Sequence, residues 1–182
     1  MALDLADIEK LFRDHGGIAY SGEPVTQLEH ALQSAGLAER EGATDELVTA
    51  AFLHDLGHLL NLQGETPTAR GIDDQHQYYA IPFIRPLFPP AVVEPIRLHV
   101  DAKRALCSLE TAYYEALSGD SKRSLTLQGG IFSRPQVEAF MAKPFAADAV
   151  RLRRWDDRAK VPGAATAPIG HYLEIAARCT LA

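Results

Sequence analysis

The side chains of this sequence best suited to chemistry are histidines and aspartates that fall within helical segments. His54 and Asp55 are adjacent and come late in an apolar stretch, and His58 follows about one helical turn later. A carboxylate buried at such a place costs several kcal/mol unless it is paired or coordinated. A metal ion offsets that cost, because histidine offers a neutral nitrogen and aspartate an anionic oxygen. The pair therefore indicates a metal site, with a capped helix end or a surface pair as the alternative.

Further candidate ligands are spread over most of the chain, on other predicted helices. Those that could complete a metal site are His30, His76, His99 and Asp156. They can meet only if the fold assembles them, and the alternative is a set of unrelated helix histidines. Two more histidines, His15 and His171, fit no position in this arrangement and are interpreted as ordinary surface or packing residues.

The elements that must position these residues are helical, because apolar residues recur at three- and four-residue steps almost throughout. Pro24 is placed as a first-turn proline of the second helix, and Thr44 or Asp45 can cap the third. No segment alternates as a strand would. The predicted helices run from Leu5 to Gly16, 24–38, 45–56, 74–83, 91–106, 108–117, 121–127, from Ser133 to Met141, 146–158 and 169–179, with a loop at 61–73. We therefore expect an all-α protein, with residues 1–182 as a single domain.

Composition limits the classes of function. The chain has 182 residues, 47% of them apolar, and a net charge of −6, which argues against a dedicated nucleic-acid binder. No apolar run reaches membrane-spanning length, and the N-terminus lacks a signal-peptide pattern. Cys107 and Cys179 lie far apart and form no metal-type pair, as is usual in a reducing compartment. We expect a cytoplasmic protein that binds neither nucleic acid nor membrane.

The order His, His-Asp, His, His, Asp resembles the two-metal form of the HD-domain superfamily. That resemblance implies a helical bundle around a dinuclear centre, in which His30, His54 and Asp156 hold one metal and His76 and His99 the other. Asp55 would bridge the two metals, a role that needs two anionic oxygens. Four imidazoles and two carboxylates suit iron or manganese better than calcium or magnesium.

Several further motifs resemble one branch of this superfamily, the phosphonate-cleaving diiron oxygenases of the PhnZ and TmpB type. The motifs lie at 20–30, 54–58, 99–104, 127–130 and 153–156, and the resemblance runs from about Tyr20 to Tyr172. It departs at 61–75 and at Asp101, where a small residue is expected. The branch implies a mixed-valence Fe(II)/Fe(III) pair that uses dioxygen to cleave the carbon–phosphorus bond of a 1-hydroxyphosphonate. A 2-oxoglutarate-dependent iron hydroxylase would supply that substrate.

The same resemblance assigns roles around the substrate. The phosphonate would be bound by Lys103, Ser121, Ser124, Gln128 and Arg153, while the catalytic residues would be His58, Tyr20 and Glu23. Tyr20 would occupy an open iron position until substrate displaces it, His58 would donate to substrate or oxygen, and Glu23 would recognise a cationic amine. The expected substrate is 1-hydroxy-2-aminoethylphosphonate or its N-trimethylated analogue, which would give glycine or glycine betaine and phosphate.

Simpler interpretations exist for these residues and for the protein. Solvated helix charges would explain Lys103 and Arg153, helix caps would explain the two serines, and a plain turn would explain the segment from Tyr20 to Pro24. The alternative function is an HD-type metal-dependent phosphohydrolase acting on a nucleotide or phosphomonoester. A third possibility is a binding protein that has kept the metal site but catalyses no reaction.

Overall fold

The computed structural model describes residues 2–20, 22–62 and 67–181. Within these ranges the regular elements are helices, apart from one isolated β-bridge between Ala19 and Thr26. The α-helices are α1 (Leu5–His15), α2 (Gln27–Arg40), α3 (Asp45–Leu53), α4 (Leu56–Leu60), α5 (His76–Tyr79), α6 (Ile81–Ile84), α7 (Pro90–Leu109), α8 (Thr111–Ala116), α9 (Gly119–Leu127), α10 (Arg134–Met141), α11 (Ala146–Arg158) and α12 (Ile169–Arg178). The all-α prediction is confirmed, and the architecture is that of an HD-type helical bundle.

The helix starts follow from local side-chain chemistry. The Thr26 hydroxyl accepts the Glu29 N–H at 3.2 Å, and the Glu29 carboxylate accepts the Thr26 N–H at 2.7 Å, so α2 begins with a capping box. The prediction that Pro24 occupies the first turn of this helix is therefore wrong, since Pro24 lies before the cap. Of the two predicted caps for α3, Thr44 is the one used.

Two predicted helices are interrupted in the structure, and one predicted boundary between helices is shifted. The predicted helix at 45–56 breaks after Leu53, and His54 and Asp55 lie in the turn before α4. The predicted helix at 74–83 is two short helices, because Pro82 lacks the N–H that would continue the first of them. The long helix α7 extends to Leu109, so that only residues 111–116 form the next helix. In the predicted loop at 61–73, residues 63–66 lie outside the described residues and Pro67–Arg70 form a 3₁₀ turn.

Helices α2, α3, α7 and α11 pack against one another around the centre of the molecule, and α12 covers α3 from outside. Phe52 and Tyr172 stack at 5.9 Å between ring centroids in this core, and Trp155 is buried beside them. The Trp155 indole donates to the Glu41 carboxylate at 2.8 Å, which ties α11 to the end of α2. Together with the helix packing, this hydrogen bond positions the inner faces of the four helices. None of the described helices is both long and apolar enough to cross a membrane.

Candidate metal centre

The six predicted metal ligands meet in the buried centre of the bundle. They come from five segments far apart in sequence, namely α2, the turn after α3, α5, α7 and α11. Their nitrogen and oxygen atoms form two groups, each with all members within 4.8 Å of one another. The first group is His30, His54 and Asp156, and the second is Asp55, His76 and His99. The structure thus brings together the two sets of residues that the sequence assigned to two metals.

Asp55 lies between the two groups and turns one oxygen toward each. Its Oδ2 is 3.5 Å from His30 Nε2 and 3.4 Å from His54 Nε2. Its Oδ1 is 3.4 Å from His76 Nε2 and 3.8 Å from His99 Nε2. The Oδ2 atom is buried and has no hydrogen-bond partner among the described residues, which is costly for a carboxylate oxygen. A cation on each side of Asp55 would satisfy both oxygens.

The four imidazoles predicted as metal ligands are oriented by hydrogen bonds from their Nδ1 atoms. In each ring Nδ1 donates a hydrogen bond, so Nε2, which faces the centre, is the atom left to bind a metal. The acceptors are the carbonyl oxygens of Ala159 for His30 (2.8 Å), Ala51 for His54 (2.9 Å) and Ile96 for His99 (2.7 Å), and the Asp74 carboxylate for His76 (2.9 Å). Such contacts orient the ligands and raise their basicity.

The spacing of the Nε2 atoms also fits metal ions. His30 and His54 face each other at 3.1 Å, as do His76 and His99. Two nitrogens bound at right angles to one ion at about 2.1 Å lie about 3.0 Å apart, which matches this spacing. An ion in each gap would bind both rings through their Nε2 lone pairs.

Protonation of the ligands responds to the concentrated charge. Burial would raise the pKa of Asp156, but Arg153 and the nearby imidazoles hold it well below its usual range. The pKa of Asp55 is likewise lowered by the histidines around it, against the effect of burial. Burial lowers the pKa of His54, yet Asp55 more than compensates and raises it to about 9. A metal bound at His54 must displace this proton, so metal binding is expected to release protons.

A cavity opens onto this centre from one side. The remaining predicted site residues all line it: Tyr20, Glu23, His58, Lys103, Ser121, Ser124, Gln128 and Arg153. Of the metal ligands, Asp55, His76, His99 and Asp156 also reach the cavity. A small molecule in the cavity would therefore contact both metal groups and the predicted substrate-binding side chains at once.

Lys103 carries a charge into this cavity from α7. Only 3% of the residue is exposed, and its Nζ donates to Ser124 Oγ at 2.8 Å. Burial, and next the charge of Arg153, lower its pKa to about 7. The interpretation of the two serines as helix caps is wrong, because Ser118 caps α9 and Ser124 is engaged by Lys103. An anion in the cavity would contact an ammonium group that is largely desolvated.

Arg153 is more fully paired than the sequence suggested. Its Nη1 donates to Asp156 Oδ2 at 2.7 Å, its Nη2 pairs with Asp157, and its Nε donates to the Tyr113 hydroxyl at 3.0 Å. Two carboxylates thus balance its charge. Arg153 lies at the cavity wall, but its strongest contacts orient the ligand Asp156.

Comparison with known proteins gives the same family as the motifs. No family model matches the chain. A hydroxymethylphosphonate dioxygenase of Gimesia maris is 46% identical over 164 residues, which cover 90% of this chain and 81% of that protein. A [1-hydroxy-2-(trimethylamino)ethyl]phosphonate dioxygenase of Leisingera caerulea is 33% identical over 168 residues, covering 92% and 86%. The chain belongs to the phosphonate dioxygenase family. The predicted family, and with it the prediction of an oxygenase, is confirmed.

Among the residues of the site that were not predicted are Asp74 and Gly57. Asp74 accepts from His76 Nδ1 through one oxygen and pairs with His58 Nδ1 at 2.6 Å through the other. It lies in the segment 61–75, where the motif match was weakest, and the only signal was an acidic residue two positions before a ligand. Gly57 is the second, because a Cβ there would lie 2.1 Å from the His76 carbonyl oxygen. Asp101, the other departure, pairs with Lys143 at 3.4 Å and does not line the cavity at the metal groups.

Proposed function

We propose that the protein is a diiron dioxygenase that cleaves the carbon–phosphorus bond of a 1-hydroxyphosphonate, forming a carboxylate and phosphate. The observation that carries this proposal is the six-residue ligand set, which Asp55 divides into two groups at the wall of a cavity that contains Lys103. Two relatives whose names describe phosphonate dioxygenases support the reaction class. A 2-oxoglutarate-dependent iron hydroxylase remains our proposal for the enzyme that supplies the substrate.

The donor set supports iron as the metal. Imidazole and carboxylate ligands suit iron, while zinc has no redox chemistry to offer a dioxygenase. His30, His54 and Asp156 would hold one ion, His76 and His99 the other, and Asp55 both. A mixed-valence Fe(II)/Fe(III) pair would supply the activation of dioxygen and a binding point for the substrate hydroxyl.

The chain's own residues would bind and orient the phosphonate end. Lys103 offers the main positive charge, with Ser121, Ser124 and Gln128 around it as hydrogen-bonding groups. The Gln128 Oε1 atom is buried without a hydrogen-bond partner among the described residues, so it could accept a hydrogen bond from the substrate hydroxyl. A dianionic phosphonate has enough acceptor oxygens to engage all four side chains.

His58 and Tyr20 lie on either side of the metal groups. His58 Nε2 is 3.8 Å from Asp55 Oδ1, and its other nitrogen is held by Asp74. Burial would lower the pKa of His58, but Asp55 and Asp74 raise it, so this ring can hold a proton beside the reacting atoms. The Tyr20 ring stacks on His30 at 3.9 Å, and its hydroxyl lies 3.5 Å from Asp156 Oδ1. Tyr20 can therefore cover the first metal group and exclude water from it.

The candidate substrates of this class are of two types, which differ in the group attached to the hydroxyl-bearing carbon. Hydroxymethylphosphonate has none, whereas 1-hydroxy-2-aminoethylphosphonate and its trimethylated analogue carry a cation. The first would give formate and phosphate, and the others would give glycine or glycine betaine and phosphate. Both types appear in the names of the relatives, so the choice depends on the cavity wall around Glu23.

The proposal is tested with protein reconstituted anaerobically with iron. Dioxygen uptake and phosphate release are measured with hydroxymethylphosphonate and with both cationic compounds. We expect both signals together for at least one compound and none in a zinc-loaded sample. Phosphate release from a phosphomonoester by the zinc-loaded protein, with no dioxygen uptake on any phosphonate, would instead support the phosphohydrolase.

A further inference from the structure

Glu23 is not a free carboxylate in this structure, because Lys160 pairs with it at the cavity wall. Lys160 Nζ lies 3.2 Å from Glu23 Oε1, and the two side chains are 14% and 12% exposed. The same ammonium lies 5.7 Å from the centroid of the Tyr20 ring, within the range of a cation–π contact. Lys160 therefore lies beside Glu23, which the resemblance assigns to the substrate amine, and beside Tyr20, which it assigns to the open metal position.

The backbone on both sides of Lys160 is held in place by α2. The Ala159 carbonyl accepts the Nδ1–H of His30 at 2.8 Å. The Gln33 side-chain amide bonds both polar groups of Val161, accepting from its N–H at 3.0 Å and donating to its carbonyl at 2.9 Å. Lys160 is thus anchored next to the metal groups, unlike a lysine on a free surface loop.

Glu23 is held equally well from its own loop. Its N–H donates to the Tyr20 carbonyl at 2.9 Å, and the Tyr20 N–H donates to the Val25 carbonyl at 2.9 Å. Gly22 adopts φ +70°, a conformation that favours glycine and that turns the chain between Tyr20 and Glu23. Both partners of the ion pair therefore lie next to backbone groups that are hydrogen-bonded to other parts of the protein.

Other carboxylates of the cavity that are not metal ligands also have partners. Asp120 pairs with Arg123 at 3.0 Å, Asp74 is shared by His58 and His76, and Asp73 accepts the Gln75 N–H at 3.2 Å. An aromatic enclosure for a quaternary ammonium is also missing from the described part of the cavity. Apart from histidines, Tyr20 is the one aromatic residue among its described lining residues. Tyr78 and Tyr79 are 45% and 41% exposed at the surface, so they do not supply further aromatic walls.

Resting on the function proposed above, we propose that Lys160 determines substrate specificity by neutralising Glu23, so that the cavity prefers the uncharged hydroxymethyl group to a cationic substituent. A cationic group would have to displace the Lys160 ammonium from Glu23 or remain beside it. Either arrangement leaves one positive charge partly desolvated and without its counter-ion, which is unfavourable. Hydroxymethylphosphonate has no group that reaches the pair, and the pair can stay intact.

The test compares substrate preference in the iron-loaded enzyme. The measured quantity is the ratio of kcat/KM for 1-hydroxy-2-aminoethylphosphonate to kcat/KM for hydroxymethylphosphonate. We expect the wild type to favour hydroxymethylphosphonate by about tenfold or more, as one unpaired charge-assisted contact would cause. Lys160→Met should raise the ratio by a similar factor, since it frees Glu23 for the substrate ammonium. Lys160→Arg keeps the pair and should keep the preference, and Lys143→Met, on an exposed lysine, should change nothing.

The double variant Lys160→Met/Glu23→Gln assigns the effect to this pair, because removing the carboxylate should abolish the gain. A gain that persists in the double variant would mean that another carboxylate, such as Asp73, receives the ammonium, and would overturn the proposal. So would a wild-type preference for either cationic compound, a measurement that requires no variant. Failure of the wild type to consume dioxygen with every phosphonate would reject the proposed function itself.

Discussion

Replacing Lys103 with methionine should separate phosphonate binding from metal binding. Lys103 is the buried ammonium of the cavity, and a bound phosphonate would gain a charge-assisted hydrogen bond from it. Loss of such a bond costs about 1.5–3 kcal/mol, which corresponds to a fall in kcat/KM of about 10- to 150-fold. Metal content should be unchanged, because Lys103 contacts Ser124 and no ligand oxygen.

The acid–base behaviour of Lys103 makes this prediction sharper. Its pKa is lowered to about 7, far below the ordinary value of a lysine, so the ammonium is present below that pH and is lost as the pH rises through it. The kcat/KM of the wild type should therefore fall about tenfold per pH unit above pH 7, provided the ammonium form is the one that binds. The methionine variant should not show this fall in kcat/KM above pH 7. Its melting temperature should be equal or higher, because a buried group that is costly to charge has been replaced by an apolar one of similar length.

The assay is initial dioxygen uptake by iron-loaded protein between pH 6 and pH 9, with phosphate release measured in parallel. Lys143→Met serves as the matched control, because Lys143 is exposed and pairs with Asp101. A Lys103→Met protein with full metal content and wild-type kcat/KM at pH 6.5 would refute the role given to Lys103. If kcat/KM of this variant still falls above pH 7, the group that titrates is not Lys103.

Four further variants change predicted metal ligands or residues that contact them. Asp55→Ala should lower the content of both metals, because its two oxygens face separate histidine pairs, whereas Asp156→Ala should lower mainly one; elemental analysis distinguishes the two results. Arg153→Gln should reduce metal content together with activity, since Arg153 orients Asp156. A variant with full metal content but weaker substrate binding would instead support the prediction that Arg153 contacts the substrate directly. Asp74→Asn should weaken metal affinity by about 10- to 100-fold, the usual effect of removing a partner of a ligand imidazole, and competition with a chelator would measure it.

The six predicted ligands could be selected from sequence because their order resembles the HD-domain pattern, while helical periodicity placed most of them on helices. His30 and His99 lie on helices whose inner faces are visible in the apolar pattern, and the bounds predicted for α11 match the structure. The break at His54 and Asp55 could not be predicted this way, because the apolar pattern continues through the turn. Because of this break, His54 and Asp55 lie between α3 and α4, where the two consecutive side chains can point to different metal groups.

The partners of the site residues were hidden for a different reason. Glu23 and Lys160 are 137 positions apart in sequence. A pattern of apolar residues indicates which face of a helix is buried, but it does not indicate which charged side chain from another segment lies against that face. Arg153 was predicted as a substrate contact from the family resemblance, and the sequence does not show that Asp156 and Asp157 both pair with it. The expectation of a cationic substrate rested on an unpaired Glu23, and only the tertiary structure supplies the lysine that changes that reasoning.

The origin of the ligands in five distant segments makes each bound ion a cross-link of the chain. Positions from His30 to Asp156 would be joined through the centre, so an ion that binds only the folded protein would stabilise it by mass action. At free metal about 100 times the dissociation constant, this amounts to about 2.7 kcal/mol. Under metal starvation the chain should open more often and be degraded faster. The abundance of the protein in the cell would then follow the metal supply directly, without a dedicated regulator.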